Sequence, residues 1–205
     1  MITLYGHNLS RANRCLWVLE ELGIDYEQNK IDHRDGSTKT PEYLAINPSG
    51  KTPALRDGDV CMSESLGINL YIAQKYGGGS LWPNDDEGRA KSIQWTMWAA
   101  TELEGPVITV VVERLFKPEN ARDEAAAKAA ENKLPSVLNV LNTSLEGRNY
   151  LASGDFTIAD LNVGCVVGSL KMVGFNFSIY PNVSKWLDGV LGRDAYQKVQ
   201  AMPKP

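Results

Sequence analysis

Gly50-Lys51-Thr52-Pro53-Ala54-Leu55, with Ser63-Glu64-Ser65 shortly after it, is the stretch that decides how this chain folds. The first run reads as a turn feeding a short strand, with the proline just before the strand. Cis peptides are largely confined to X–Pro bonds, and a native one usually fixes a tight turn. A cis Thr52–Pro53 bond bends Thr52 so that its backbone N–H and C=O face outward. Unclaimed by a partner strand, they can pair with an extended peptide as a short piece of sheet. Glu64 and Ser65 read as the first turn of a helix capped by Ser63, where free N–H groups attract a carboxylate. One element offers backbone pairing and the other grips an anion, which describes a site for a small peptide.

Outward from this run, Ile2-Thr3-Leu4-Tyr5 is a β-branched strand and His7-Asn8-Leu9-Ser10 a loop. From Arg11 to Leu22, apolar Leu16, Val18, Leu19 and Leu22 recur at helical spacing, and Gly23 stops the helix. Tyr26 to Asp32 alternates as a second strand, which completes a βαβ unit. A short helical turn fits Pro41–Ile46. Ala54-Leu55-Arg56 and Val60-Cys61-Met62 flank Asp57-Gly58-Asp59 as a hairpin. A helix from Glu64 to about Tyr76 closes this region. Gly77 to Pro83 then makes a linker, and past it the strand signal fades.

Residues 87–116 form a long helical pattern bent near Gly105-Pro106. Residues 119–145 form another, interrupted at Pro135, and further helices follow from Thr157 to about Met172, Pro181 to Leu191 and Asp194 to about Ala201. The fold class is α/β plus all-α. The expected domains are 1–77 and 87–205, joined by a linker over 78–86. Thr157-Ile158-Ala159-Asp160 is a capping box with a folding role, the hydroxyl serving the helix start and the carboxylate reaching back.

A hydrophobic fraction of 43% over 205 residues is enough for a sizeable core. The formal net charge of −4 argues against nucleic acid as the main partner. Cys15, Cys61 and Cys165 form neither a CxxC pair nor a disulfide framework, which suits a reducing compartment. The start lacks the basic region and apolar run of a signal peptide. The most apolar run, 107–112, is far short of the roughly 20 residues that cross a bilayer. A cytoplasmic protein without membrane partners is expected. His7 and His33 stand apart from other ligand-type residues, so no metal is expected.

Four passages resemble the cytosolic glutathione S-transferases, and the resemblance covers essentially the whole chain. Leu4-Tyr5-Gly6-His7-Asn8-Leu9-Ser10 is similar to the catalytic-serine start of the phi and theta classes. Asn47-Pro48-Ser49-Gly50-Lys51-Thr52-Pro53-Ala54-Leu55 resembles the cis-proline turn, and Ser63-Glu64-Ser65 with Ile68 and Tyr71 the γ-glutamyl-binding helix start. Phe156-Thr157-Ile158-Ala159-Asp160 resembles the capping box of the family's helical domain. The resemblance implies a thioredoxin-like N-terminal domain followed by a helical one. It implies glutathione as co-substrate, a small hydrophobic electrophile as second substrate, no metal, and a homodimer. Tyr71 to Tyr76 and the long helix offer surface for such a two-fold contact.

In family terms, Thr52, just before Pro53, pairs through its backbone with the cysteinyl unit. Ser65 and its N–H take the γ-glutamyl carboxylate, and Glu64 helps with the ammonium. Lys39 and Lys51 lie where the family places basic groups for the glycine carboxylate. Thr38 departs from the histidine that phi members often carry one position before Lys39. Trp95, Trp98, Val107, Val111 and Phe116 give the long helix apolar faces of the kind that usually form core. Because the family's second site lies between its domains, the resemblance implies that part of this helix lines it.

A glutathione thiol must lose its proton to attack an electrophile, and a helix N-terminus with a donor lowers a thiol pKa. Ser10, just before the helix opening at Arg11, fits a donor to the sulfur. It equally fits a plain cap. With the resemblance the donor role is preferred. Asn8 and Arg11 flank Ser10 and can also approach the thiol. Tyr5 reads as core or wall, and Cys15, on the apolar stripe, as a small hydrophobe. The activity implied is conjugation of the glutathione thiolate to small hydrophobic electrophiles. Peroxidase, dehalogenase or isomerase chemistry on the same clamp, and a non-catalytic glutathione-fold module, are the alternatives.

Overall fold

A computed structural model of the chain describes residues 1–32 and 34–203. His33, weighed above for metal binding, and Lys204 and Pro205, placed in the helical domain, lie outside the described residues. The chain divides into two compact units: Met1–Leu81 with the chain from Arg193 onward, and Trp82–Gly192.

The first unit is built on a four-stranded sheet of order β2-β1-β3-β4. Strand β1 (Ile2–Tyr5) pairs in parallel with β2 (Tyr26–Asn29) and antiparallel with β3 (Ala54–Asp57). Strand β4 (Val60–Ser63) runs back along β3. Leu4 opposes Leu55 across the central pair, and both are fully buried. Burying a side chain of that size contributes about 1.5–3 kcal/mol. The mixed sheet and the element order follow the sequence expectation.

Two boundaries differ from it. Strand β2 stops at Asn29 instead of Asp32. The Ser37 hydroxyl accepts from the Asp32 N–H (3.1 Å) and donates to the Asp32 carbonyl (2.9 Å), folding the chain into a loop. Helix α3 (Ser65–Tyr76) starts one residue later than Glu64, and Ser63 does not cap it. Ser63 is consumed as the last residue of β4, paired with Ala54.

Helix α1 (Ala12–Leu22) buries Cys15, Leu16, Trp17, Val18 and Leu19 and packs against α3 and against the last helix, α10 (Asp194–Gln200). The sequence groups α10 with the helical region; in the structure it belongs to the first unit. The reason is a seam of specific contacts. The Trp17 and Tyr196 rings meet edge-on at 4.8 Å, Lys198 pairs with Glu20 at 2.5 Å, and Arg193 pairs with Glu21. At the other end of β3, Asp57 Oδ2 accepts from the Tyr71 hydroxyl (2.8 Å), the Lys75 ammonium (2.7 Å) and the Tyr76 hydroxyl (2.7 Å). Burial pushes the Asp57 carboxyl up, but Lys75 and the two phenols together bring it down to about 2. This knot ties the C-terminal half of α3 to the end of β3.

The second unit is helical throughout its regular elements: α4 (Asp86–Trp98), α5 (Glu104–Val111), α6 (Glu124–Glu131), α7 (Leu134–Ser144), α8 (Ile158–Val167) and α9 (Pro181–Leu191). The expected bend near Gly105-Pro106 is instead a widening into π-helix over Ala99–Leu103. Pro106 lies just after that π segment, in the first residues of α5, so the widened turn absorbs the N–H that proline lacks. Pro135 likewise opens α7. Thr157 and Asp160 form the expected capping box.

Candidate active site

The turn before β3 is held from inside. The Gly50 N–H reaches the Asn47 carbonyl (2.9 Å), and the Asn47 side chain accepts from the Ser49 N–H (3.1 Å) and hydroxyl (2.8 Å). The Lys51 carbonyl accepts from both the Tyr43 hydroxyl (2.6 Å) and the Asn47 amide (2.7 Å). The next peptide bond, Thr52–Pro53, is cis. Pro53 is buried, and Thr52 is half-buried. Neither the N–H nor the C=O of Thr52 has a hydrogen-bond partner among the described residues. In a turn where Lys51 is doubly bonded, that leaves a paired donor and acceptor open.

Helix α3 opens without a cap. Glu64, at its N-cap, has φ 70° and makes no side-chain cap bond, and it is the non-glycine residue with positive φ among the described residues. That region costs a non-glycine residue roughly 1–2 kcal/mol. The first bond into the helix runs from the Ile68 N–H to the Glu64 carbonyl (2.8 Å). Ser65 therefore presents its N–H at the positive end of the helix dipole. Its hydroxyl oxygen accepts from Arg14 Nη1 at 3.2 Å, and the Arg14 side chain is only 4% exposed. A buried guanidinium behind an uncapped helix start concentrates positive potential there. Cys15, fully buried, also faces this point, its sulfur 3.6 Å from the Ser65 carbonyl.

Ser10 is half-buried at the entrance to α1. Its hydroxyl donates to the His7 carbonyl (2.8 Å) and accepts from the Ala12 N–H (3.2 Å). The hydroxyl thus serves the first N–H of α1 although the N-cap itself is Arg11, and its own proton sits on a bond that one rotation can release. Gly6, at φ 126°, shows how close the pieces come. A Cβ there would stand 3.2 Å from Thr52 Cβ, 3.3 Å from Ser10 Oγ and 2.9 Å from Ala12 Cβ. Only a glycine fits, and Ser10 and Thr52 flank it. The loop hydroxyl and the open turn thus lie close together on either side of Gly6.

The remaining sequence-predicted residues distribute around it. Lys39 is exposed, with its ammonium 3.0 Å from the Gly50 carbonyl, so it lies against the same turn. Lys51 is exposed, and Thr38 is fully buried with its hydroxyl unpartnered among the described residues. The Asn8 amide is given to the Met202 carbonyl (2.9 Å), which draws it to the C-terminal segment. Arg11 is the exposed N-cap of α1. Tyr5 is core, edge-on to Tyr43 at 5.8 Å. Arg14 was not singled out from the sequence; a charge four residues past Ser10, beside the apolar stripe of α1, was the available signal. Among the described residues no group of three or more His, Cys, Asp or Glu is placed to hold a metal. No described helix is long and apolar enough to cross a membrane.

Residues 1–74 match the family description "Glutathione S-transferase, N-terminal domain", and residues 104–194 match "Glutathione S-transferase, C-terminal domain". The chain belongs to the glutathione S-transferase family. Its first unit carries the family's thioredoxin-like domain, and the residues expected from sequence to hold glutathione fall within the first of those two matches. Glutathione S-transferase 4 of Zea mays is 36% identical over 98% of this chain and 93% of its own length. Glutathione S-transferase GstB of Escherichia coli K12 is 30% identical over 99% of both. Among solved structures, a glutathione S-transferase-I bound with lactoylglutathione superposes with TM-score 0.89 at 32% identity, covering 98% of each chain. The theta class glutathione S-transferase of Xanthomonas axonopodis pv. citri, with glutathione bound, gives 0.90 at 28% identity over 98% of each chain.

Proposed function

We propose that this chain is a glutathione transferase that joins the glutathione thiolate to small hydrophobic electrophiles. The observation that carries the reading is the pairing, across Gly6, of the Ser10 hydroxyl with the open backbone of Thr52. In this reading the Thr52 N–H and C=O pair with the cysteinyl unit, and Pro53 holds the bend. The Ser65 hydroxyl and N–H take the γ-glutamyl carboxylate, with Arg14 supplying charge from behind, and Glu64 takes the ammonium. Lys39 and Lys51 meet the glycine carboxylate.

Ser10 then acts as donor and not as nucleophile. Its hydroxyl turns from the His7 carbonyl to the sulfur, and the N-terminus of α1 favours the thiolate. Each pKa unit by which the thiol is lowered is about 1.4 kcal/mol of preferential thiolate stabilisation. The thiol proton leaves to solvent, sulfur forms a bond to the electrophilic carbon, and the leaving group departs with its electron pair. Positioning and thiolate stabilisation carry the rate, with no covalent enzyme intermediate.

Residues 1–77 carry glutathione binding in this reading, 78–86 act as linker, and the helical region supplies the electrophile's surroundings. A homodimer acting in detoxification in the cytoplasm completes it; the three free cysteines suit that compartment. The test is calorimetry with reduced glutathione followed by turnover of an aryl halide. Micromolar to low-millimolar binding with conjugation supports the reading. Absence of binding at millimolar glutathione contradicts it, and preferential turnover of hydroperoxides redirects it to peroxidase chemistry.

A further inference from the structure

His7 is 2% exposed and lies three residues before Ser10. Its Nδ1 accepts the Leu9 N–H at 3.2 Å, which places the ring proton on Nε2. Nε2 stands 3.4 Å from Asp32 Oδ2, and it has no hydrogen-bond partner among the described residues. Asp32 is itself gripped by Arg34, whose Nε donates to both carboxylate oxygens (3.0 and 2.9 Å). An imidazole buried with one donor unmet is costly compared with an apolar side chain of similar size. The fold keeps it at a place where one ring atom performs a definite task.

That task is the turn 7–10. The His7 carbonyl accepts from both the Ser10 N–H (2.9 Å) and the Ser10 hydroxyl (2.8 Å). The imidazole takes the Leu9 N–H, a second peptide hydrogen of the turn. Leu9 is 52% exposed, so nothing apolar anchors the turn from its outer side. One residue thus holds the turn by its side chain and the Ser10 hydroxyl by its backbone.

We propose that His7 is the positioning residue for Ser10. Its Nδ1, through the Leu9 N–H, fixes where the hydroxyl points once it leaves the His7 carbonyl for the sulfur. The inference rests on the glutathione transferase reading above. It separates acceptor chemistry from mere filling of space, because asparagine reproduces an acceptor at the Nδ1 position, glutamine reaches to the Nε2 position, and leucine fills the volume without either.

The experiment titrates the thiol of bound reduced glutathione by ultraviolet absorbance in wild type, His7→Asn, His7→Gln and His7→Leu. Melting curves establish that each variant is folded, and calorimetry gives its glutathione affinity. The expected result is a thiol midpoint raised by about one pH unit in His7→Leu and His7→Gln, with kcat at neutral pH down about tenfold. Glutathione affinity stays within about twofold of wild type, and His7→Asn recovers most of the loss. A folded His7→Leu or His7→Gln with the wild-type midpoint overturns the proposal, as does a His7→Asn no better than His7→Gln. A wild-type midpoint equal to that of free glutathione removes the donor that His7 is said to aim, and overturns the functional reading with it.

Discussion

The helix starts at Ser65 and at Ile158 resemble each other in sequence, a hydroxyl residue with an acid close by, but their hydrogen-bond accounts differ. At Ile158 every group is used. Thr157 accepts from the Ala159 N–H, and Asp160 Oδ2 accepts from the Thr157 N–H (3.0 Å) and hydroxyl (3.1 Å). Asp160 Oδ1 accepts from the Leu151 N–H and from Trp186 Nε1, each at 2.9 Å. Burial pushes the Asp160 carboxyl up, and the donors from Trp186, Leu151 and Thr157 oppose that push. At Ser65 the acid is turned outward in a strained conformation, no cap bond forms, and a buried arginine stands behind the hydroxyl. A closed start is a fold device. An open one is where, in the function proposed above, a ligand completes the account.

Changes at the two starts should therefore separate stability from binding. The largest effect is expected at the closed one. Asp160→Ala leaves the Leu151 N–H, the Thr157 N–H and Trp186 Nε1 without their acceptor, and should lower unfolding stability by about 3–5 kcal/mol. Denaturant unfolding measures it; a loss under about 1 kcal/mol would show that the box is not the structural anchor described.

Ser65→Ala should act mainly on binding. It removes the hydroxyl that the proposed site offers to a carboxylate and should weaken glutathione binding by about 10- to 100-fold. Unfolding stability should fall less than at Asp160, by about 1–2 kcal/mol, because one buried Arg14 donor loses its acceptor. Calorimetry beside a melting curve distinguishes the two starts, and equal affinity in wild type and variant would erase the contrast. The smallest effect belongs to Glu64. Glu64→Gly relieves the φ of 70° and should raise stability by about 1 kcal/mol while weakening glutathione binding severalfold. A variant both weaker in binding and less stable would mean that the strain is not stored for the ligand.

Much of the geometry around the proposed site could be read from the chain because its signals are local. Pro53 beside Thr52, the glycines around the turn and the hydroxyl before α1 act on their immediate neighbours, and the order of elements along the chain followed from hydrophobic patterning. What escaped was non-local. Arg14 matters because α3 begins opposite it, and the Asp57–Tyr71–Lys75–Tyr76 knot that ties α3 to β3 joins residues far apart in sequence. Helix α10 was assigned by order along the chain, whereas its place is set by Trp17, Glu20 and Glu21 on α1. Ser63 read as a cap because nothing in its own neighbourhood shows that strand pairing with Ala54 has already claimed it.

The direct test of the whole assignment is the ionisation of glutathione bound to wild type and to Ser10→Ala. The wild-type thiol should titrate well below the free-thiol value of about 8.5, and the variant should titrate about one unit or more higher at nearly unchanged affinity, with conjugation of an aryl halide sharply reduced. Identical midpoints and identical turnover in the two proteins would mean that Ser10 only caps α1, and that the sulfur is activated elsewhere.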